Sequence, residues 1–185
     1  VCSLNDGVQI ETCNMNVNDL SKLTENEINY FNTVKRIYPF VRLFYNTDNQ
    51  NLPDSVIYSQ IDVLNEDYRR LNENANETRD EFLEFAGDAN IEFFLANVDP
   101  EGNPTNGIIH QYTDREEFLM FEDILSNEIT LDEVKFSASG GSDAWDTNQY
   151  LNIWVCNIGA LDILGLELGQ VFGYAYPPVD IDEAL

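Results

Sequence analysis

Apolar positions along the chain fall into two periods. Residues 37–45, "IYPFVRLFY", are almost continuously apolar and aromatic, the pattern of a central strand covered on both faces. Pro39 is tolerable near its start, and the polar run from Asn46 to Asn51 ends it in a turn. The period then lengthens. Leu52-Pro53-Asp54-Ser55 opens a helix, with proline in the first turn, where a missing N–H costs nothing. Ile57, Ile61, Leu64, Tyr68 and Leu71 follow as one apolar helical face. Glu66 and Arg70 stand off that face as an i, i+4 pair in the favourable order. Thr24 to Glu27, Thr78 to Glu81 and Thr113 to Glu116 have capping-box spacing. The first predicts a short helix through Tyr30 and Phe31. The second predicts one carrying Phe82 and Phe85 and stopping at Gly87. The third leads into "EEFLMFEDIL", with Phe118, Phe121, Ile124 and Leu125 on one face.

Further strands are predicted at "IEFFLANV" (91–98), "IIHQY" (108–112), "YLNIWVCNI" (150–158) and "VFGYAY" (171–176). "DPEGNPTNG" (99–107) carries two prolines and two glycines and reads as a hairpin-like turn. "EVKFSASGGSDAW" (133–145) reads as loop. Strand, long helix, then several strands make an α/β or α+β layered fold.

With 185 residues, 43% apolar and 12% aromatic, the chain is globular and long enough for one real core. Residues 1–36 read as an N-terminal arm or pro-like segment, and 37–185 as the packed subdomain. The formal net charge is −25, from 34 acidic and 9 basic residues. Such a chain repels phosphate backbones and anionic headgroups, which argues against nucleic acid and membrane surfaces as partners. No apolar run is long enough to span a bilayer. The start at Val1 leads us to expect a processed chain. Cys2 and Cys13 are a disulfide candidate in an oxidising compartment, whereas Cys156 sits in an apolar run as a small hydrophobe. Asn76-Glu77-Thr78 fits the short glycosylation pattern.

The chemistry is sparse. One histidine excludes an H-E-x-x-H motif, and no G-x-S-x-G, Walker or dinucleotide fingerprint occurs. Ser139 and Ser142 lie beside glycines, but a triad would need His110, whose apolar strand context argues against it. No catalytic residue is therefore assigned. A catalytic zinc needs three protein ligands and an open position. Calcium takes six to eight oxygens, and for it Asp143 and Asp146 in the Gly-rich loop, and Asp180 and Asp182 beside Glu183, are the candidates. Turn capping and solvated charge explain the same carboxylates.

Three stretches carry a resemblance. They are "SQIDVLNEDYRRLN" (59–72), "VDPEGNPTNGI" (98–108) and "VKFSASGGSDAWDTNQYLNIWVCNI" (134–158). In order and spacing they resemble the pappalysin family of secreted zinc metalloendopeptidases, within the metzincin clan, over roughly residues 38–178. The resemblance implies a twisted, mostly parallel sheet backed by helices, the upper half of a metzincin-like catalytic domain. It implies that "GYAYPP" (173–178) is the edge strand lining the cleft, so that Gly173, Tyr174, Ala175 and Tyr176 face an extended peptide substrate. It implies zinc, held in the family by an H-E-x-x-H-x-x-G-x-x-H helix after that strand. The chain reaches Leu185 without this motif, so zinc is not bindable by this chain alone. Residues 159–171 are longer than the family's link, and 113–133 looks like an inserted helix. Two readings follow. One is the N-terminal part of a secreted peptidase, inactive alone and completed by a companion segment or subunit. The other is a non-catalytic extracellular binding or assembly module of the same descent, possibly holding calcium.

Overall fold

A computed structural model describes Glu25 and residues 33–118, 133–163, 166–170, 172, 173 and 175. The chain divides into two units, Val34–Val171 and the two termini, Val1–Thr33 with Phe172–Leu185. The first unit holds the sheet.

The apolar run at 37–45 becomes two strands rather than one. β1 (Lys35–Ile37) and β2 (Pro39–Tyr45) are separated at Tyr38. β2 is the centre of a parallel sheet, flanked by β4 (Ile108–Tyr112) and β5 (Leu151–Val155) in the order β4-β2-β5. β1 pairs in parallel with β3 (Ile91–Phe93). All of β2 except Tyr45 is buried, as expected of a strand covered on both faces. Successive side chains point to opposite faces. Val41 and Leu43 meet Ile57 of α1 (Asp54–Tyr68) and Ile108 of β4 on one side. On the other, Phe44 packs against Phe118 and Val134. The α/β fold with a parallel sheet and a backing helix is thus the observed one.

Several local expectations give way to tertiary context. The long helix stops at Tyr68, short of its apolar face. Arg70 adopts φ +51°. The Leu71 N–H then reaches the Glu66 carbonyl at 2.7 Å and the Arg70 N–H the Asp67 carbonyl at 3.0 Å, which closes the helix as a Schellman motif. Leu71 is left 74% exposed. Arg70 does not complete a helical pair with Glu66; its Nη2 donates to the Ala75 carbonyl at 3.1 Å and to Thr78 Oγ1 at 3.3 Å. Thr78 donates its hydroxyl to Ala75 instead of capping a helix. Asp80–Phe85 is accordingly a 3₁₀ turn with Phe82 and Phe85 exposed.

The third predicted helix is absent over its described start. Thr113 Oγ1 accepts the Arg115 N–H at 3.2 Å, a bond of the capping kind, but residues 114–118 are not helical and Phe118 enters a parallel bridge with Ile158. The rest of that expected helix, and the one after Thr24 apart from helical Glu25, lie outside the described residues. The stretch 91–98 keeps only β3 as a strand. The 99–107 turn is present, with Val98 and Pro104 bridged antiparallel across it. β6 (Ala160–Ile163) and β7 (Leu166–Gln170) pair antiparallel, where the sequence predicts a link. Phe172, Gly173 and Ala175 lie in no strand, so the strand predicted at 171–176 is absent at those three positions.

Gly107, which delivers the chain to β4, has φ +75°, and a Cβ there would lie 2.8 Å from the Ala96 N and O atoms. Gly107→Ala is therefore expected to destabilise the domain by about 2 kcal/mol or more. Gly87→Ala, which meets open space, should stay within about 0.5 kcal/mol. Thermal unfolding followed by circular dichroism measures both.

Candidate functional site

A cation sits in the middle of the central strand. Arg42 lies opposite Ile109 of β4 and Trp154 of β5 and is 1% exposed. Its Nε donates to Ser142 Oγ at 3.1 Å and its Nη1 to Asn152 Oδ1 at 2.9 Å. The guanidinium carbon stands 4.3, 5.2 and 5.8 Å from the ring centres of Phe40, Trp154 and Trp145. These rings supply favourable faces for a cation. Nη2 is buried with no hydrogen-bond partner. Burial pushes the guanidinium down to about 10, and the charge of Asp143 opposes the shift.

The Gly-Gly loop is fastened around this group. A Cβ on Gly141 would lie 2.2 Å from the Val134 carbonyl oxygen, so only glycine lets the loop approach so closely. The Gly141 N–H donates to the Phe136 carbonyl at 2.9 Å and the Ser142 N–H to Val134 at 3.0 Å. Trp154 Nε1 donates to the Ser142 carbonyl at 2.9 Å. Asn152 holds the Trp145 backbone at both ends, accepting its N–H at 2.8 Å and donating to its carbonyl at 2.9 Å. The Trp145 ring stacks on Phe40 with 3.4 Å between centres and meets Tyr150 edge-on at 5.0 Å.

The two described calcium candidates are committed to turns. Asp143 accepts the Ser137 hydroxyl and, at 3.0 Å, its N–H. These two bonds, then the Arg42 charge, hold its carboxyl below the usual range. Asp146 accepts the Asn148 N–H at 3.0 Å and the Gln149 amide at 2.9 Å, and the Asn148 N–H leads in lowering it. Among the described residues no group of three or more His, Cys, Asp or Glu side chains is placed to hold a metal ion. Asp180, Asp182 and Glu183 lie outside the described residues, as do Cys2, Cys13, Tyr174 and Tyr176. Gly173 and Ala175 are exposed.

His110 has both ring nitrogens engaged, Nδ1 with Asn51 Oδ1 at 2.6 Å and Nε2 with Asp54 Oδ1 at 2.7 Å. A catalytic zinc needs several converging ligands, and the described residues do not fit one. Ser142, bonded to Arg42, has no imidazole partner, so no serine triad is assembled. Cys156 packs beside Phe44, Phe118 and Val134, and burial pushes its thiol up to about 11, the opposite of a reactive thiolate.

No family model matches the chain, and no curated protein matches it. Solved structures do. Mature mirolysin of Tannerella forsythia, in complex with a cleaved peptide, is 48% identical with a TM-score of 0.62, over 71% of this chain and 45% of that one. Mirolysin in complex with compound 9 is 48% identical with a TM-score of 0.61, over 68% and 44%. A mutant of Tannerella forsythia promirolysin is 46% identical with a TM-score of 0.62, over 73% and 43%. The chain thus spans less than half the length of these solved chains, and over that span it has the fold of a metallopeptidase catalytic domain.

Arg42→Ala should remove about 3–5 kcal/mol of stability, because it empties a volume enclosed by three rings and strips a bond from Ser142. Arg42→Met, which keeps the stem and drops the charge, should cost within about 2 kcal/mol. Urea unfolding of the two variants against the parent checks the difference. The lowered carboxyl of Asp143 contributes stability that is full above the ordinary carboxylate range and is lost as pH falls through its depressed value. Asp143→Asn should therefore flatten part of the decline in melting temperature between about pH 5 and pH 3, as read by melts at stepped pH.

Proposed function

We propose that these 185 residues are the sheet-bearing, N-terminal part of a secreted zinc metallopeptidase of the pappalysin type, with the metal-ligating residues outside them. The observation that carries this reading is 48% identity to mature mirolysin across 71% of the chain. The identity accompanies agreement of fold, and it supports kinship at the level of a metallopeptidase catalytic domain. The match with a neighbour solved in complex with a cleaved peptide supports a peptide as substrate. On this reading Gly173, Tyr174, Ala175 and Tyr176 present backbone groups to that peptide. The arm expected over residues 1–36 then acts as a pro-like segment up to the start of β1 at Lys35.

The division of labour follows from the donor set. A zinc ion supplies a Lewis acid and an activated water when bound in such enzymes. The single imidazole of this chain is already held by Asn51 and Asp54. The residues described here instead provide a rigid platform, the parallel sheet and the loop fastened to Arg42. Activity then depends on a companion segment or subunit. An extracellular setting suits a chain of formal net charge −25, whose self-repulsion is screened in a salty medium. No helix among the described residues is long and apolar enough to cross a membrane.

The protein isolated from its source should carry mass beyond 21.1 kDa, contain zinc by elemental analysis, and cut an unfolded protein substrate until a chelator is added. The 185-residue polypeptide alone should bind no stoichiometric zinc and cut nothing. Hydrolysis by that polypeptide unaided, or a source protein free of zinc-dependent hydrolysis, would overturn the reading.

A further inference from the structure

The outer margin of the sheet at β3 has one open hydrogen-bonding position. The Phe94 N–H donates to the Ile37 carbonyl at 2.9 Å and the Ala96 N–H to Pro39 at 2.8 Å. Residues 94 and 96 therefore direct their backbone groups at β1 and β2, and residues 93, 95 and 97 direct theirs away. Phe93 is answered by a side chain. Its N–H donates to Asn65 Oδ1 at 2.7 Å, and Asn65 Nδ2 donates to its carbonyl at 3.0 Å. The amide of Asn65 thus imitates one residue of a neighbouring strand. At the other end, the Asn97 carbonyl accepts the Thr105 N–H at 3.0 Å. Between them, the Leu95 N–H and carbonyl have no hydrogen-bond partner among the described residues.

A groove of about 700 Å³ opens on the same margin. Buried Ile61 and Phe93 line it, together with half-exposed Tyr58 and Phe94. Arg36 and Asp62 also line it, with the Arg36 guanidinium 5.5 Å from the centre of the Phe94 ring. An adjacent N–H and C=O facing outward match the complementary pair of an extended chain. They do not match a helix, whose own groups are paired internally. Asn65 answers Phe93 and Thr105 takes the Asn97 carbonyl, which leaves Leu95 and the Asn97 N–H as the open groups, room for one pairing residue. Arg36 and Asp62 bring one charge of each sign to the lining, and the field of a chain with net charge −25 concentrates cations at the surface.

We propose that this groove binds an extended, basic peptide segment of another polypeptide, one residue of which pairs its N–H and C=O with Leu95. The site is independent of the cleft assigned above, and its test runs with a chelator present so that hydrolysis does not enter. The full-length protein carrying these residues is titrated by calorimetry with a blocked peptide of alternating lysine and valine. Three comparison peptides are its analogue N-methylated at every residue, a version with glutamate for lysine, and a version with the charges removed. Amide hydrogen exchange locates the contact. The expected result is saturable binding, protection gained at Leu95, and about tenfold or greater weakening on N-methylation, from the loss of the paired hydrogen bonds. The glutamate version should bind more weakly than the uncharged one, and Asp62→Asn should weaken the lysine peptide several-fold. Absence of protection at Leu95, equal binding of the N-methylated analogue, or preference for the glutamate version would each overturn the proposal.

Discussion

A guanidinium buried at the centre of a parallel sheet constrains everything around it. Arg42 occupies a position where its neighbours Phe40 and Phe44 are sealed from water, and a cation there is stable only when its donors and its charge are met. Ser142 and Asn152 meet two of the donors, and three aromatic rings face the charge. Each of these partners belongs either to β5 or to the loop leading into it, apart from Phe40 beside it on β2. The need to satisfy one side chain of the central strand therefore fixes where the loop lies and which β5 side chains turn inward. Gly141 is the steric counterpart of that need, because no larger residue lets the loop come so close to Val134 and Glu133.

Much of this was legible in the amino acids, for reasons that can be named. Nine near-continuous apolar residues spelled a doubly covered strand, and β2 is one. The periodicity from Ile57 to Leu71 spelled a helix, and Ile57 and Ile61 are its buried contacts. What the pattern could not show was where non-local bonds would overrule local ones. Leu71 belonged to the helical face by spacing, yet the chain turns at Arg70, where the guanidinium finds Ala75 and Thr78. Thr78 had the right neighbours for a cap but spends its hydroxyl on Ala75, and Thr113 makes a cap-like bond to the Arg115 N–H with no helix over residues 114–118. The β6–β7 pairing was hidden because "GALDILGLELGQ" alternates poorly and is rich in glycine. Arg42 itself was visible as a cation inside "IYPFVRLFY" and went unassigned, although a charge in such a run calls for dedicated partners.

The candidate site was less legible than the fold. Carboxylates make up so large a share of the sequence that spacing alone cannot separate a ligand from a turn. Asp143 and Asp146 show the outcome, as each is consumed by N–H groups and side chains within a few residues. His110 is similarly spent on Asn51 and Asp54. A metallopeptidase fold is present across a chain that spans under half of its solved relatives, and the described residues contribute architecture rather than ligands.

The aromatic enclosure of Arg42 has an optical consequence. The chain has two tryptophans, and both stand within 6 Å of that guanidinium, Trp145 from the loop and Trp154 from β5. Tryptophan emission, excited beyond the absorption of the nine tyrosines, is therefore a local gauge of one node rather than an average over the domain. Loosening of the loop registers in that emission at once, whereas a change confined to α1 or to the 3₁₀ turns beyond it involves no tryptophan.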